Sequence, residues 1–193
     1  MLILERDFIK SINSGKCLAI VGSGPSIDIG LPTWKKLAED AIYLLDENTI
    51  KAKNVKFTKL IDNGDFPKIF SIIREEIGLE KLTSWIEKEL EINQENGGLY
   101  NYISTWPFAN YFTTNYDDIL LDQLHKLGIP AVTKLNTIED MRLLRADSKN
   151  IVFKIHGDCT DPENIVLTSE QYSEFKDGPS KYCRICGAVV CPS

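Results

Sequence analysis

The sequence predicts an α/β fold, a doubly wound parallel sheet with a helical insert over about residues 50–105. Three observations carry this reading. The runs Cys17–Val21 and Ile151–Ile155 are too short for helices and largely apolar, as expected of central strands buried on both faces. Segments with 3.6-residue apolar spacing separate them. Small or polar residues follow each strand: Gly22-Ser23-Gly24-Pro25-Ser26, Thr114-Asn115-Tyr116-Asp117 and His156-Gly157.

Residues 4–14 carry Leu4, Phe8, Ile9 and Ile12 at helical spacing, and Gly15 closes that helix. Thr33 caps a helix with Trp34, Leu37, Ala38, Ala41, Ile42 and Leu45 on one face. Phe57–Ile61, Phe66–Ile77 and Leu79–Leu90 repeat the period, and Asn96-Gly97-Gly98 breaks it. A short helix over Leu99–Thr105 ends before Pro107. Tyr111–Thr114 reads as a strand, Asp118–Leu127 as an amphipathic helix, and Ala131–Val132 as a further short strand. Ile165–Thr168 reads as one more strand, and Ser169 as the cap of a last helix through Phe175. This order makes a Rossmann-like sheet the natural solution.

With 193 residues, 43% of them hydrophobic and 26% charged, the chain has the composition of a globular protein. Its longest apolar runs fall far short of the roughly 20 residues that span a bilayer. The N-terminus places Glu5 and Arg6 directly after apolar residues, unlike a secretory signal, so a cytoplasmic location without membrane attachment is expected. A net charge of −6 without basic clusters argues against nucleic acid as a partner. Of five cysteines, Cys17 reads as a buried apolar residue, Cys159 as a loop residue, and Cys183, Cys186 and Cys191 crowd the C-terminus.

The three polar segments follow strands, and open α/β sheets bind ligands at that carboxyl edge. Glycines at 22 and 24 let backbone N–H groups approach phosphate oxygens, and Ser26 adds a hydroxyl. An Asn/Asp pair and a lone histidine beside such a loop point to a nucleotide whose sugar is the target of chemistry. Taken singly, each segment also has a structural explanation. Glycine turns join strands to helices without ligands, Asn-Tyr-Asp suits an Asx turn or helix cap, and a single histidine is often structural.

The glycine segment is not a phosphate loop of the Gly-Lys-Ser/Thr kind. It resembles the sirtuin signature G-A-G-x-S-x-x-x-G-I-P, reading here Gly22-Ser23-Gly24-Pro25-Ser26-Ile27-Asp28-Ile29-Gly30-Leu31-Pro32. Thr114-Asn115-Tyr116-Asp117 is similar to the sirtuin Q-N-I-D motif, in the form found in sirtuin-like domains of bacterial antiphage proteins. Ile155-His156-Gly157 resembles the catalytic His-Gly, and Ile165–Tyr172 resembles the bacterial branch. The likeness covers roughly residues 15–175. It implies NAD⁺ as substrate, cleaved to nicotinamide and ADP-ribose, in antiphage defence. It implies Asn115 and His156 as catalytic residues. Gly22, Ser23, Gly24, Ser26, Pro32, Asn115 and Asp117 become NAD-binding, with Asp117 on the nicotinamide carboxamide. The chemistry is coherent: cleavage generates an oxocarbenium-like ribose, and an unperturbed histidine accepts a proton near neutral pH without a metal.

The chain departs from the protein-deacylating sirtuins. Where they continue with Asp-Phe-Arg, it has Thr33-Trp34-Lys35, and no zinc ribbon of paired cysteines follows His156. Cys183, Cys186 and Cys191 supply three thiols of the four a structural zinc requires, so no metal is expected. Residues 1–178 are thus expected to form the NAD-binding domain and 179–193 a cysteine-containing tail without ordered structure. Family members continue with a strand and loop that hold the adenosine half, so the resemblance implies an incomplete grip here. An NAD⁺ or ADP-ribose sensor without turnover and an NAD-dependent deacylase are the alternatives. The acidic helical insert also offers surface for a homo-oligomer.

Overall fold

A computed structural model describes residues 6–91, 97–137, 140 and 147–177. The proposed cysteine tail at 179–193, the expected start of the first helix at 4–5 and part of the break at 96–98 lie outside them.

Among the described residues the four strands are β1 (Leu18–Val21), β2 (Asn110–Thr113), β3 (Val132–Leu135) and β4 (Ile151–Lys154). They form one parallel sheet in the order β1-β2-β4-β3. This is the Rossmann-like α/β architecture that the sequence predicts. Every residue of β4 is buried, Lys154 included. The expectation that Cys17–Val21 is a central strand buried on both faces does not hold: among the described residues β1 pairs only with β2, so it lies at an edge, and its Ile20 is 82% exposed.

The helices are α1 (Arg6–Asn13), α2 (Gly24–Asp28), α3 (Trp34–Ala41), α4 (Glu47–Asp62), α5 (Phe66–Ile77), α6 (Leu79–Glu89), α7 (Leu99–Ile103), α8 (Ile119–Lys126) and α9 (Ser169–Asp177). Thr33 caps α3 as expected, its hydroxyl accepting from the Lys36 amide at 3.2 Å. The helix ends earlier than its apolar period suggests. Ile42–Leu44 tighten into a 3₁₀ turn, and Asp46 starts α4 by accepting from Asn48 and Thr49. The cap at Asp46 supplies a start signal that outweighs the continuing apolar stripe.

Two cores organise the molecule. On one face of the sheet, Ala19, Val21, Tyr111 and Val152 pack with Tyr100, Leu120 and Leu124 from α7 and α8. The second core joins Leu37, Phe70, Ile73, Leu82 and Ile86 of the helical block to Tyr116, Cys159, Ile165 and Leu167. Those last four follow β2 and β4, so the helical block sits against the carboxyl edge of the sheet.

Ile165–Thr168 is not a strand. It is buried irregular chain whose amides have other partners: Val166 N donates to His156 O at 2.8 Å, and Leu167 N and Thr168 N donate to Gln171 Oε1. Its apolar burial mimics a strand in sequence, but its hydrogen bonds go to a loop and a side chain.

Candidate functional site

Between the helical block and the carboxyl edge lies a pocket lined by Ser23, Ser26, Leu31, Pro32, Trp34, Leu37, Leu90 and Thr114–Asp117. Its volume is about 40 Å³, room for water only in this conformation. A recess of about 240 Å³ adjoins it, sharing Leu90, Tyr116 and Asp117, with Asp118, Asp122, Asp158, Glu87 and Glu91 on its walls. A ring-sized ligand therefore enters the pocket only with movement of its lining side chains. Trp34 builds one wall, its ring edge-to-face with Phe70 at 5.6 Å and Tyr116 at 5.8 Å.

The glycine loop leaves β1 and closes at once into the single turn α2. Neither Gly22 nor Gly24 has a positive φ, and a Cβ on either would meet nothing within 4 Å. The space beside both is unoccupied by protein. Gly30, at φ 99°, makes the turn that leads into Leu31 and Pro32. Ser26 does not project into solvent. It is buried, and its hydroxyl donates to Asp117 Oδ2 at 2.9 Å and lies 2.7 Å from the Tyr100 hydroxyl.

Asn115 follows β2, and its backbone amide donates to Thr113 Oγ1 at 3.0 Å. Its side-chain Nδ2 lies 3.0 Å from each of three acceptors, Gly22 O, Ser26 Oγ and Tyr100 OH. An amide carries two hydrogens, so three acceptors hold both of them. The structure thus joins Gly22, Ser26, Asn115 and Asp117 in one network, with Tyr100 as a member the sequence does not reveal. Desolvation pushes the Tyr100 phenol up to about 12, helped by the neighbouring Asp117 carboxylate, so it stays a donor. Burial also raises Asp117 above the usual carboxylate range, against the hydrogen bond from Ser26.

His156 stands beside this network rather than in the same pocket. Its neighbour Ile155 donates its backbone N–H to Thr113 O at 2.8 Å, which holds His156 next to the Asn115 turn. Its Nδ1 lies 3.4 Å from the Tyr172 hydroxyl, and its ring packs edge-to-face on Tyr172 and Phe175 of α9. Burial pulls the imidazole below its ordinary value, against the opposing influence of the Thr114 backbone, which favours the neutral base at neutral pH. The next residue has to be glycine. Gly157 takes φ 76°, and a Cβ there would lie 2.5 Å from Asn164 O.

Tyr100, Tyr172 and Phe175 are missed by sequence reasoning. Tyr100 shares a helical face with Ile103 and Ser104, whereas Tyr102 is 70% exposed. That spacing is the one signal separating the two tyrosines. Cys159 sits in the core with its thiol pushed up to about 12 by burial, a neutral apolar neighbour and not a ligand. Among the described residues no group of His, Cys, Asp and Glu is arranged to hold a metal ion. No described helix is long and apolar enough to cross a membrane.

Residues 109–189 match the family model described as a SIR2-like domain. The match contains Asn115, Asp117 and His156, while the glycine loop lies before it. The chain is 24% identical over 174 residues to an NAD(+) hydrolase ThsA of Acinetobacter baumannii, covering 90% of this chain and 34% of that protein. It is 24% identical over 175 residues to an NAD(+) hydrolase ThsA of Cytobacillus dafuensis, covering 91% and 33%. For the ThsA of Bacillus cereus the identity is 22% over 174 residues, covering 88% and 34%. The chain spans about one third of the length of these curated relatives.

Proposed function

We propose that this chain binds NAD⁺ and hydrolyses its nicotinamide–ribose bond, releasing nicotinamide and ADP-ribose. The observation that carries the reading is Asn115 Nδ2 within 3.0 Å of Gly22 O and Ser26 Oγ, on a strand end that Thr113 O, accepting from Ile155 N, joins to the strand leading to His156. Three motifs far apart in sequence meet at one sheet edge, and the similar proteins are named NAD(+) hydrolases. Asn115 then serves the ribose, Asp117 the nicotinamide carboxamide, and Ser23, Ser26 and Pro32 the dinucleotide along the glycine loop.

In the reaction, water adds to the ribose anomeric carbon as the carbon–nitrogen bond breaks. The electron pair of that bond neutralises the nicotinamide ring, and the proton of the water passes to His156 and then to solvent. Burial keeps His156 neutral and able to accept it. The acidic recess next to Asp117 favours a cationic ring in the ground state. Such consumption of NAD⁺ in the cytoplasm would serve antiphage defence by depleting the cofactor.

A second reading has its own observation. Internal partners already hold both Asn115 amide hydrogens, and the pocket is small, a state suited to binding without turnover. Chromatography of NAD⁺ incubated with purified protein decides between them. Nicotinamide release that is lost in Asn115→Ala and His156→Ala supports hydrolysis. A calorimetric signal without product selects the sensor, and neither release nor binding removes both.

A further inference from the structure

We infer that Lys154 is a positioning residue that locks the Asn115–Asp117 turn to the strand carrying His156. Its consequence for turnover rests on the hydrolase reading, but its structural content does not. Lys154 is the last residue of β4 and is 0% exposed. Its Nζ donates to the backbone carbonyl of Tyr116 at 2.7 Å, pairs with Asp118 Oδ1 at 2.7 Å, and bonds the carboxylate of Asp158. An ammonium has three hydrogens, and these are three attachments.

The attachments are to segments that matter. Tyr116 lies between Asn115 and Asp117, Asp118 begins the approach to α8, and Asp158 is two residues beyond His156. Hydrogen bonds to Asp118 and Asp158 outweigh the cost of burial and keep the ammonium charged. Asp158, held low by Lys154 and Thr160 despite its burial, stays ionised as the partner. Replacing a buried ion cluster with apolar residues of similar volume is often neutral or stabilising, so stability alone does not account for this one. Geometry does: a single point charge fixes the distances between β4, the Asn-Tyr-Asp turn and the loop after His156.

Hydrogen exchange by mass spectrometry on wild type, Lys154→Met and Lys154→Arg tests this directly. Lys154→Met is expected to accelerate exchange about tenfold in peptides spanning 114–119 and 155–160, with the β1–β2 peptides unchanged. Lys154→Arg keeps the charge and restores part of the protection. In nicotinamide release, Lys154→Met lowers kcat about tenfold with a smaller change in KM. Wild-type protection of the turn in folded Lys154→Met overturns the inference. If that variant does not fold, Asp118→Ala removes one attachment at an exposed side chain, and unchanged exchange there overturns it equally. A wild type without turnover counts against hydrolysis, while exchange still decides the role of Lys154.

Discussion

The Tyr100 hydroxyl lies 2.7 Å from Ser26 Oγ and 3.0 Å from Asn115 Nδ2, so one phenol bridges the glycine loop and the asparagine turn. It also approaches Asp117 Oδ1 at 3.5 Å. The insert that carries α7 therefore reaches the hydrogen-bond network at the sheet edge.

Tyr100→Phe removes that hydroxyl and leaves the ring in its core. Buried partners that lose a hydrogen bond cost about 1–2 kcal/mol, so denaturant unfolding is expected to report that loss. Nicotinamide release should fall about tenfold as Asn115 loses one of its three anchors. Wild-type stability and rate in this variant would show that Tyr100 only packs.

Gly157→Ala meets two obstacles at once, a positive φ and a Cβ placed 2.5 Å from a backbone oxygen. Backbone atoms cannot swing aside as a side-chain tip can. A loss of at least about 2 kcal/mol is expected in chemical unfolding, with His156 displaced from Thr114. The contrasting variant Gly64→Ala has a positive φ but open space around its Cβ, and should cost less.

The pH dependence follows from the direction of the His156 shift. Its folded value lies below the ordinary 6.5, so the unfolded chain binds more protons across the interval between the two. Stability from this group is complete above about 6.5 and declines as pH falls through that window to the folded value. The acid limb of kcat/KM should accordingly lie below 6.5. Melting temperatures at pH 7.5 and 5.5 should differ more in wild type than in His156→Gln.

Ile20 is apolar, 82% exposed and on edge strand β1. An exposed apolar edge invites pairing with other chains. Ile20→Lys should leave unfolding free energy within about 0.5 kcal/mol while lowering light scattering at high protein concentration. Equal scattering from both proteins would mean that this edge does not drive association.

Much of this was legible in the residues. The apolar runs locate β1 and β4, the alternation at Tyr111–Thr114 locates β2, and Thr33 locates the start of α3, because strands and caps leave local signals. The glycine, Asn-Asp and His segments announce a sheet-edge site for the same reason. What stayed hidden depends on long-range partners. Ile165–Thr168 reads as a strand because burial and pairing look alike until the acceptors of Val166 and Leu167 are known. Lys154 reads as a polar interruption of β4, since nothing local announces that Asp118 and Asp158 converge on it. Tyr100 and Tyr102 differ only in which face of a short helix they occupy.

In the sheet, β2 lies between β1 and β4, although some 90 residues separate β1 from β2 and some 40 separate β2 from β4. Closing such long loops taxes folding before any contact rewards it. On the ribosome, a growing chain that has released the glycine loop and Asn115 still lacks the strand that brings His156 alongside.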